Sequence, residues 1–187
     1  MEHGLCGADE RAFLELDQKL LNHTDGSGIG IKSADEYFGP LTVIGGTIKL
    51  EDGRFVQTLD SRFPTSITAA EISERLRQLT DEIGGTFENT LLMEPFLVKP
   101  DSPVIQALLD AYNEATGEDA KPFTMGGGTY ARNFARAVSF GPEETGLELP
   151  EWGGQMHGPN ECANEEQLKQ ALKIYIVAIL RLNELEL

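Results

Sequence analysis

Residues 41–64 read LTVIGGTIKL, EDG and RFVQTLDSRFP. Two runs rich in β-branched and aromatic residues, Leu41–Leu50 and Arg54–Phe63, flank Glu51-Asp52-Gly53, and an Asp-Gly pair between such runs is a strong hairpin signal. Pro64 cannot donate to a ladder, so it ends the second strand. Asp60 and Arg62 share parity near that strand end, which puts both side chains on one face of the sheet.

Outward from the hairpin, the pattern turns helical on both sides. Ala8–Leu21 carries Phe13, Leu16, Leu20 and Leu21 as an apolar stripe, broken by His23-Thr24-Asp25-Gly26-Ser27-Gly28. Thr65–Gly84 places Ile72, Leu76, Leu79 and Ile83 on one face, and Gly84-Gly85 closes it. Thr86–Val98 reads as a further strand, giving a β-β-α-β run: a small open-faced sheet with a helix on one side. Pro95 and Pro100 bracket a boundary, so the chain divides into residues 1–96 and 97–187.

In the second part, Asp101-Ser102-Pro103 supplies a capping side chain and a first-turn proline for a helix. That helix points Val104, Leu108, Tyr112 and Ala115 inward and stops at Gly117. A glycine-rich segment, Met125–Arg132, leads into a short expected strand, Ala137–Phe140, and then a long loop, Gly141–Cys162. Asn164 caps a last helix, with Gln167 at the capping-box position. Its residues Leu168, Leu172, Ile174, Tyr175, Ile176, Val177, Ile179 and Leu180 are apolar around most of the circumference, so it must pack on more than one side. The expected class is α/β: an open-faced α+β part, then a piece of a mixed, mostly parallel sheet domain.

A net charge of −16 repels phosphate backbones and anionic membrane surfaces, which argues against nucleic-acid and membrane partners. Ile174–Leu180 is too short to span a bilayer, and no charged-then-apolar leader opens the chain. Cys6 and Cys162 lie outside any CxxC spacing and read as free thiols in a reducing cytoplasm. Asn22-His23-Thr24 matches a glycosylation sequon, but only by chance in a chain without a secretion signal.

Three segments carry chemistry: Asp60-Ser61-Arg62-Phe63-Pro64, Gly126–Arg132, and Met156-His157-Gly158-Pro159-Asn160-Glu161. With Leu41-Thr42-Val43 and Leu97–Pro103, in this order and spacing, they resemble the carnosinase and Xaa-His dipeptidase branch of the di-zinc aminoacylase/carboxypeptidase superfamily. The resemblance runs from about Ala8 to the C-terminus. It implies that residues 1–96 are part of a lid domain and residues 97–187 the C-terminal portion of a catalytic domain, whose sheet is completed by strands upstream.

By that resemblance His157 matches the last zinc ligand, one ion of a pair, on a loop before the final helix. A neutral imidazole suits Zn²⁺, and its second nitrogen needs an oriented acceptor; neither Asn160 nor Glu161 is assigned that task. Arg62 matches the arginine that reaches the substrate's C-terminal carboxylate, as a planar guanidinium can do bidentately. The bland alternative for Arg62 is a surface salt bridge to Asp60. Gly128 and Thr129 match a turn lining the substrate pocket, and Arg132 neighbours it. Read without the resemblance, Gly126–Thr129 is a tight strand-to-helix turn; it lacks the Gly-Lys-Ser/Thr of a phosphate loop.

The family's His-x-Asp, bridging Asp, Glu-Glu pair and further Asp have no match. His23-Thr24-Asp25 is followed by Gly-Ser-Gly, and Glu143-Glu144 falls where the family has a variable loop, so neither is taken as a ligand pair. The lid histidine that stabilises the oxyanion has no counterpart either; His3 lacks its context. Hence no residue is assigned as catalytic, and the chain alone is expected to hold no zinc, to hydrolyse nothing and to self-associate. The activity implied for the longer enzyme is hydrolysis of short peptides with a free C-terminal carboxylate. Its rivals are a desuccinylase or aminoacylase of the same superfamily, and a stand-alone binding module without chemistry.

Overall fold

The computed structural model describes residues 7–141, 148–154 and 157–186. It is a mixed α/β chain that divides into two compact units. The first comprises residues up to Phe96 together with Thr124–Gly127; the second comprises Leu97–Phe123 and the residues from Gly128 on.

In the first unit, helix α1 (Ala8–Leu21) is followed by a loop in which the backbone N–H of Gly26 bonds to the His23 carbonyl. Two short strands, β1 (Ala34–Asp35) and β2 (Gly39–Pro40), pair antiparallel. The long hairpin is β3 (Thr42–Glu51) and β4 (Arg54–Arg62), antiparallel, within a residue of the limits its sequence predicts. Asp52 and Gly53 both take positive φ, 49° and 78°, which is the type I′ geometry that matches strand twist. The register shifts between Gly45 and Ile48, where β3 carries one extra residue. Thr58 fits this bulge: its hydroxyl accepts the Thr47 N–H at 2.9 Å. A Cβ on Gly46 would lie 2.3 Å from that hydroxyl, so a side chain there would have to displace it.

Helix α2 (Ala69–Asp81) is four residues shorter at its start than its apolar pattern implies. The cause is a capping box: the Thr68 side chain accepts the Glu71 N–H, while Glu71 accepts the Thr68 N–H at 2.8 Å. It also ends before Ile83, which is consequently exposed. Leu20, Ile29, Ile31, Leu41, Val43, Ile72, Leu76 and Leu79 form one buried cluster drawn from α1, the loop after it, the hairpin and α2. Burying each such aliphatic side chain contributes roughly 1.5–3 kcal/mol.

The expected third strand, Thr86–Val98, does not form. The segment follows α2 instead of pairing with the hairpin. Phe87 packs on the core cluster, Asn89 donates to the Ser73 hydroxyl at 3.0 Å, and Glu94 accepts the Ala69 N–H at 3.2 Å. Extended backbone with β-rich composition becomes a strand only beside a partner edge, and here side chains, not a ladder, hold it.

The second unit is built on α3 (Pro103–Thr116) and α4 (Glu165–Asn183). Ser102 caps α3 by accepting the Ile105 N–H, and Gly117 ends it at φ 76°. Asn164 caps α4 by accepting the N–H groups of Glu166 and Gln167. Leu108, Ala111 and Ala178 form the buried contact between the helices, joined by an Arg181–Glu114 ion pair. Ala115, expected inward, is exposed; Ala111 takes its place one turn earlier.

No strand forms among the described residues of this unit, so the expected strand Ala137–Phe140 is corrected. Val138 and Phe140 pack on the α3–α4 cluster, and the Phe140 ring meets Tyr175 edge-on at 5.8 Å. With no neighbouring strand, those apolar residues act as a clip on the helices.

Among the described residues no helix is long and apolar enough to cross a membrane.

Candidate functional site

Arg62 closes β4, and its direction follows from the strand period: it lies beside Asp60, two residues back on the same face. Nε donates to Asp60 Oδ1 at 2.7 Å and Nη2 to Asp60 Oδ2 at 3.0 Å, a bidentate pair along one edge of the guanidinium. Nη1 donates to the carbonyl of Gly126 at 2.5 Å. Both side chains of the ion pair stay about half exposed, so the pair itself adds little to stability. Of five N–H donors three are spent on the protein, and two remain unspent.

The Gly126 contact is one the sequence did not disclose. Thr124–Gly127 belongs to the first unit although the residues on either side belong to the second. The hydroxyl of Thr124 donates to the Tyr37 carbonyl at 2.5 Å and fixes the start of this segment.

In the second unit, Gly128 precedes Thr129, the N-terminal flank of a single 3-10 turn, Tyr130–Asn133. The Thr129 and Ser139 hydroxyls lie 2.5 Å apart in a hydrogen bond, and the Arg132 N–H bonds to the Thr129 carbonyl. Thr129 thus links the turn to the clip at 137–140, a role unrelated to the strand expected there.

His157 sits on a loop whose base is pinched shut. The N–H of Gly154 donates to the Asn160 carbonyl at 2.8 Å, and Gly154 forms an isolated parallel bridge with Glu161. A Cβ on Gly154 would lie 1.8 Å from the Pro159 carbonyl oxygen, so only glycine fits. His157 and Asn160 take left-handed backbone, φ 64° and 58°, uncommon for residues with a side chain. The N–H of His157 donates to Glu161 Oε2 at 3.0 Å. Glu161 therefore organises the loop backbone.

These residues do not by themselves fit a zinc ion. An open zinc site takes about three protein ligands, and among the described residues no three His, Cys, Asp or Glu side chains gather closely enough to hold a metal. Asp25, in the His-x-Asp sequence at 23–25, is committed elsewhere. Its Oδ1 accepts the Ser27 N–H and hydroxyl, and its Oδ2 pairs with Lys32 at 2.9 Å. Lys32, then Ser27, hold the Asp25 carboxyl far below the usual carboxylate range. Glu143-Glu144, His3 and Cys6 lie outside the described residues.

Residues 11–181 match the family model described as peptidase family M20/M25/M40. A Staphylococcus epidermidis protein named "putative dipeptidase" is 31% identical over 171 residues, covering 89% of this chain and 35% of the relative. Proteins of the same name from Staphylococcus haemolyticus and Staphylococcus saprophyticus are 32% and 31% identical, covering 90% and 91% of this chain and 35% and 36% of theirs. The chain spans about a third of the length of these relatives. A match from residue 11 to residue 181 takes in both units, and the chain belongs to peptidase family M20/M25/M40.

Proposed function

We propose that this chain supplies the carboxylate-binding arginine and one metal-ligating histidine of a carnosinase-like, zinc-dependent dipeptidase. Residues 1–96 are its lid portion, and residues 97–187 are part of the catalytic domain. Arg62 binds the C-terminal carboxylate of the peptide, Gly128, Thr129 and Arg132 border the substrate, and His157 is one ligand of one zinc ion. The other ligands and the general base come from sequence outside these 187 residues, so the chain alone is inactive. The same reading puts the protein in the cytoplasm, in keeping with the free thiol of Cys162.

The observation that carries the proposal is Arg62. Its guanidinium is oriented along one edge by Asp60 and from Nη1 by the Gly126 carbonyl, yet it stays half exposed with two donors unspent. A surface arginine with no further task has no need of three fixed bonds. A carboxylate clamp does, because orientation settled before binding lowers the entropy that binding costs. The family match and the names of the relatives are in keeping with a dipeptide as the ligand.

The test is binding of a dipeptide with a free C-terminus, against the same dipeptide amidated, followed by NMR on the chain and its Arg62→Ala variant. The free form is expected to bind at least tenfold more tightly, the factor for one charge-assisted bond, and Arg62→Ala to erase the difference. Equal affinity of the two ligands for the unaltered chain would overturn the proposal.

A further inference from the structure

The carboxylate of Asp35 holds together two stretches of chain that lie thirty residues apart. Oδ1 accepts the N–H groups of Tyr37 and Phe38 at 2.8 and 2.7 Å, which closes the turn between β1 and β2. Oδ2 accepts the N–H and the hydroxyl of Thr65, both at 2.7 Å. Ser66 adds a bond to the Ala34 carbonyl and another to the Ser33 hydroxyl. Thr65 stands three residues beyond Arg62, and the two between them are fixed: Phe63 packs on the core and Pro64 is fully buried. The strand end that presents Arg62 is therefore tied to the turn that carries Tyr37.

That turn is also where the other partner of Arg62 is anchored. Tyr37 turns its carbonyl to the Thr124 hydroxyl at 2.5 Å, and two residues later the Gly126 carbonyl meets Arg62 Nη1. The guanidinium and its carbonyl acceptor reach each other from positions 62 and 126, and both lead back to one carboxylate. Asp60 alone would leave the guanidinium on a two-residue tether, free to turn with its neighbour on an exposed face.

We infer that Asp35 is a positioning residue for Arg62, acting through Tyr37 and Thr124 to seat the Gly126 carbonyl on the guanidinium. It touches neither ligand nor reacting atoms; it settles the direction in which the two unspent donors of Arg62 point. The inference rests on the reading of Arg62 as the carboxylate binder for its purpose, though not for its geometry.

The experiment is ¹⁵N NMR of the arginine side chains in the ligand-free 187-residue chain, with Arg62 assigned from an Arg62→Lys sample. Hydrogen exchange and Nη rotation of Arg62 are compared in Thr124→Val, Thr124→Ser and Asp35→Asn. Exchange at Arg62 is expected to rise about tenfold in Thr124→Val, the loss of one charge-assisted bond. Thr124→Ser, which keeps the hydroxyl, should restore it, and Asp35→Asn should match or exceed the valine variant. A structural role alone would lower the melting temperature and leave the Arg62 resonance as it was. Should Asp35→Asn not fold, Thr124→Val with its serine rescue decides. An unchanged Arg62 signature in folded Asp35→Asn or in folded Thr124→Val overturns the inference, as does a change that serine fails to reverse. Adding a free-carboxylate dipeptide then separates the two ideas: no response of Arg62 would sink the clamp while leaving the positioning result standing.

Discussion

Asp60 and Arg62, two residues apart on one face of β4, are joined by two parallel bonds at 2.7 and 3.0 Å while both remain about half exposed. An ion pair so open to water and salt contributes well under about 1 kcal/mol. Arg62→Ala, which also removes the exposed bond to the Gly126 carbonyl, should therefore move the melting temperature of the chain by no more than a few degrees. In an active relative carrying the same Asp-x-Arg-x-Pro sequence, the matching change should cost roughly 1.5–3 kcal/mol in binding a free dipeptide. Thermal denaturation and a comparison of free with amidated substrates read the two effects separately. A large stability loss would make the pair structural.

The hairpin was legible because its information is local. An Asp-Gly turn and alternating strand residues specify Thr42–Arg62 without help from the rest of the fold, and helix α1 and the caps at Ser102 and Asn164 are equally local. What failed was non-local. Thr86–Val98 and Ala137–Phe140 have strand composition, but whether a strand forms depends on a neighbouring edge that no single segment encodes. The same limit applies to the candidate site. The Asp60–Arg62 pair follows from a two-residue period, whereas Gly126 and Thr124 reach the Arg62 network across some sixty and ninety residues. An Asx-turn signal at Asp35 was present in Asp35-Glu36-Tyr37-Phe38-Gly39, yet nothing local tied that turn to Thr65.

Gly154→Ala tests how tightly the His157 loop is closed. The added Cβ would meet the Pro159 carbonyl oxygen at 1.8 Å, and backbone on both sides must shift to admit it. The bond from Gly154 N–H to the Asn160 carbonyl should break, with a stability loss of about 1–3 kcal/mol. Denaturant melts, with hydrogen exchange at residue 154, would record it. Unchanged protection would show that the loop base is loose.

Acid should weaken the first unit through Asp35. Thr65, first by its hydroxyl, and the N–H groups around the turn bring the Asp35 carboxyl down to about 2. A carboxyl depressed in the folded state contributes stability that is fully present above its unfolded value of about 4 and is lost as pH falls from there toward about 2. Melting curves of the chain and of Asp35→Asn should therefore lie apart at pH 7 and converge as pH approaches 2. Asp25 and Glu71, lowered by Lys32 and by the Thr68 hydroxyl, act in the same direction and leave a residual slope in the variant. Parallel curves across that window would remove Asp35 from the account.

Helix α4 buries Ile174 and Ala178 but leaves Leu168, Leu172, Ile176, Ile179 and Leu180 more than half exposed. A contiguous exposed apolar stripe of this kind commonly marks an interaction surface, and we propose that the isolated chain self-associates through it. Light scattering at tens of micromolar should report a dimer or larger species. Leu172→Lys with Ile179→Lys should return it to a monomer without unfolding, because neither residue is buried. The net charge of −16 opposes association, so added salt should strengthen it. A monomer at every salt concentration would refute this use of the helix.

Zinc stoichiometry is the sharpest test of the proposed ligand assignment. His157 is the one residue that the family resemblance matches to a metal ligand, and its loop neighbour Glu161 is turned to the His157 backbone. Asp25, the carboxylate of the other histidine-containing motif, is held by Lys32 and Ser27, so to bind a metal it must first give up an ion pair and two hydrogen bonds. Affinity grows with each preorganised ligand, and no general base is assigned to activate a water, so even weak surface binding would not produce turnover. We expect the purified chain to hold far less than one equivalent of zinc by elemental analysis and to leave dipeptides uncleaved. If the chain binds no structural metal, a chelator should leave its melting temperature unchanged. The opposite outcome has a definite meaning. One or two equivalents of tightly held zinc, lost in His157→Ala, would require that His23-Thr24-Asp25 and Glu143-Glu144 complete a cluster with His157, and Asp25→Asn should then release the metal as well.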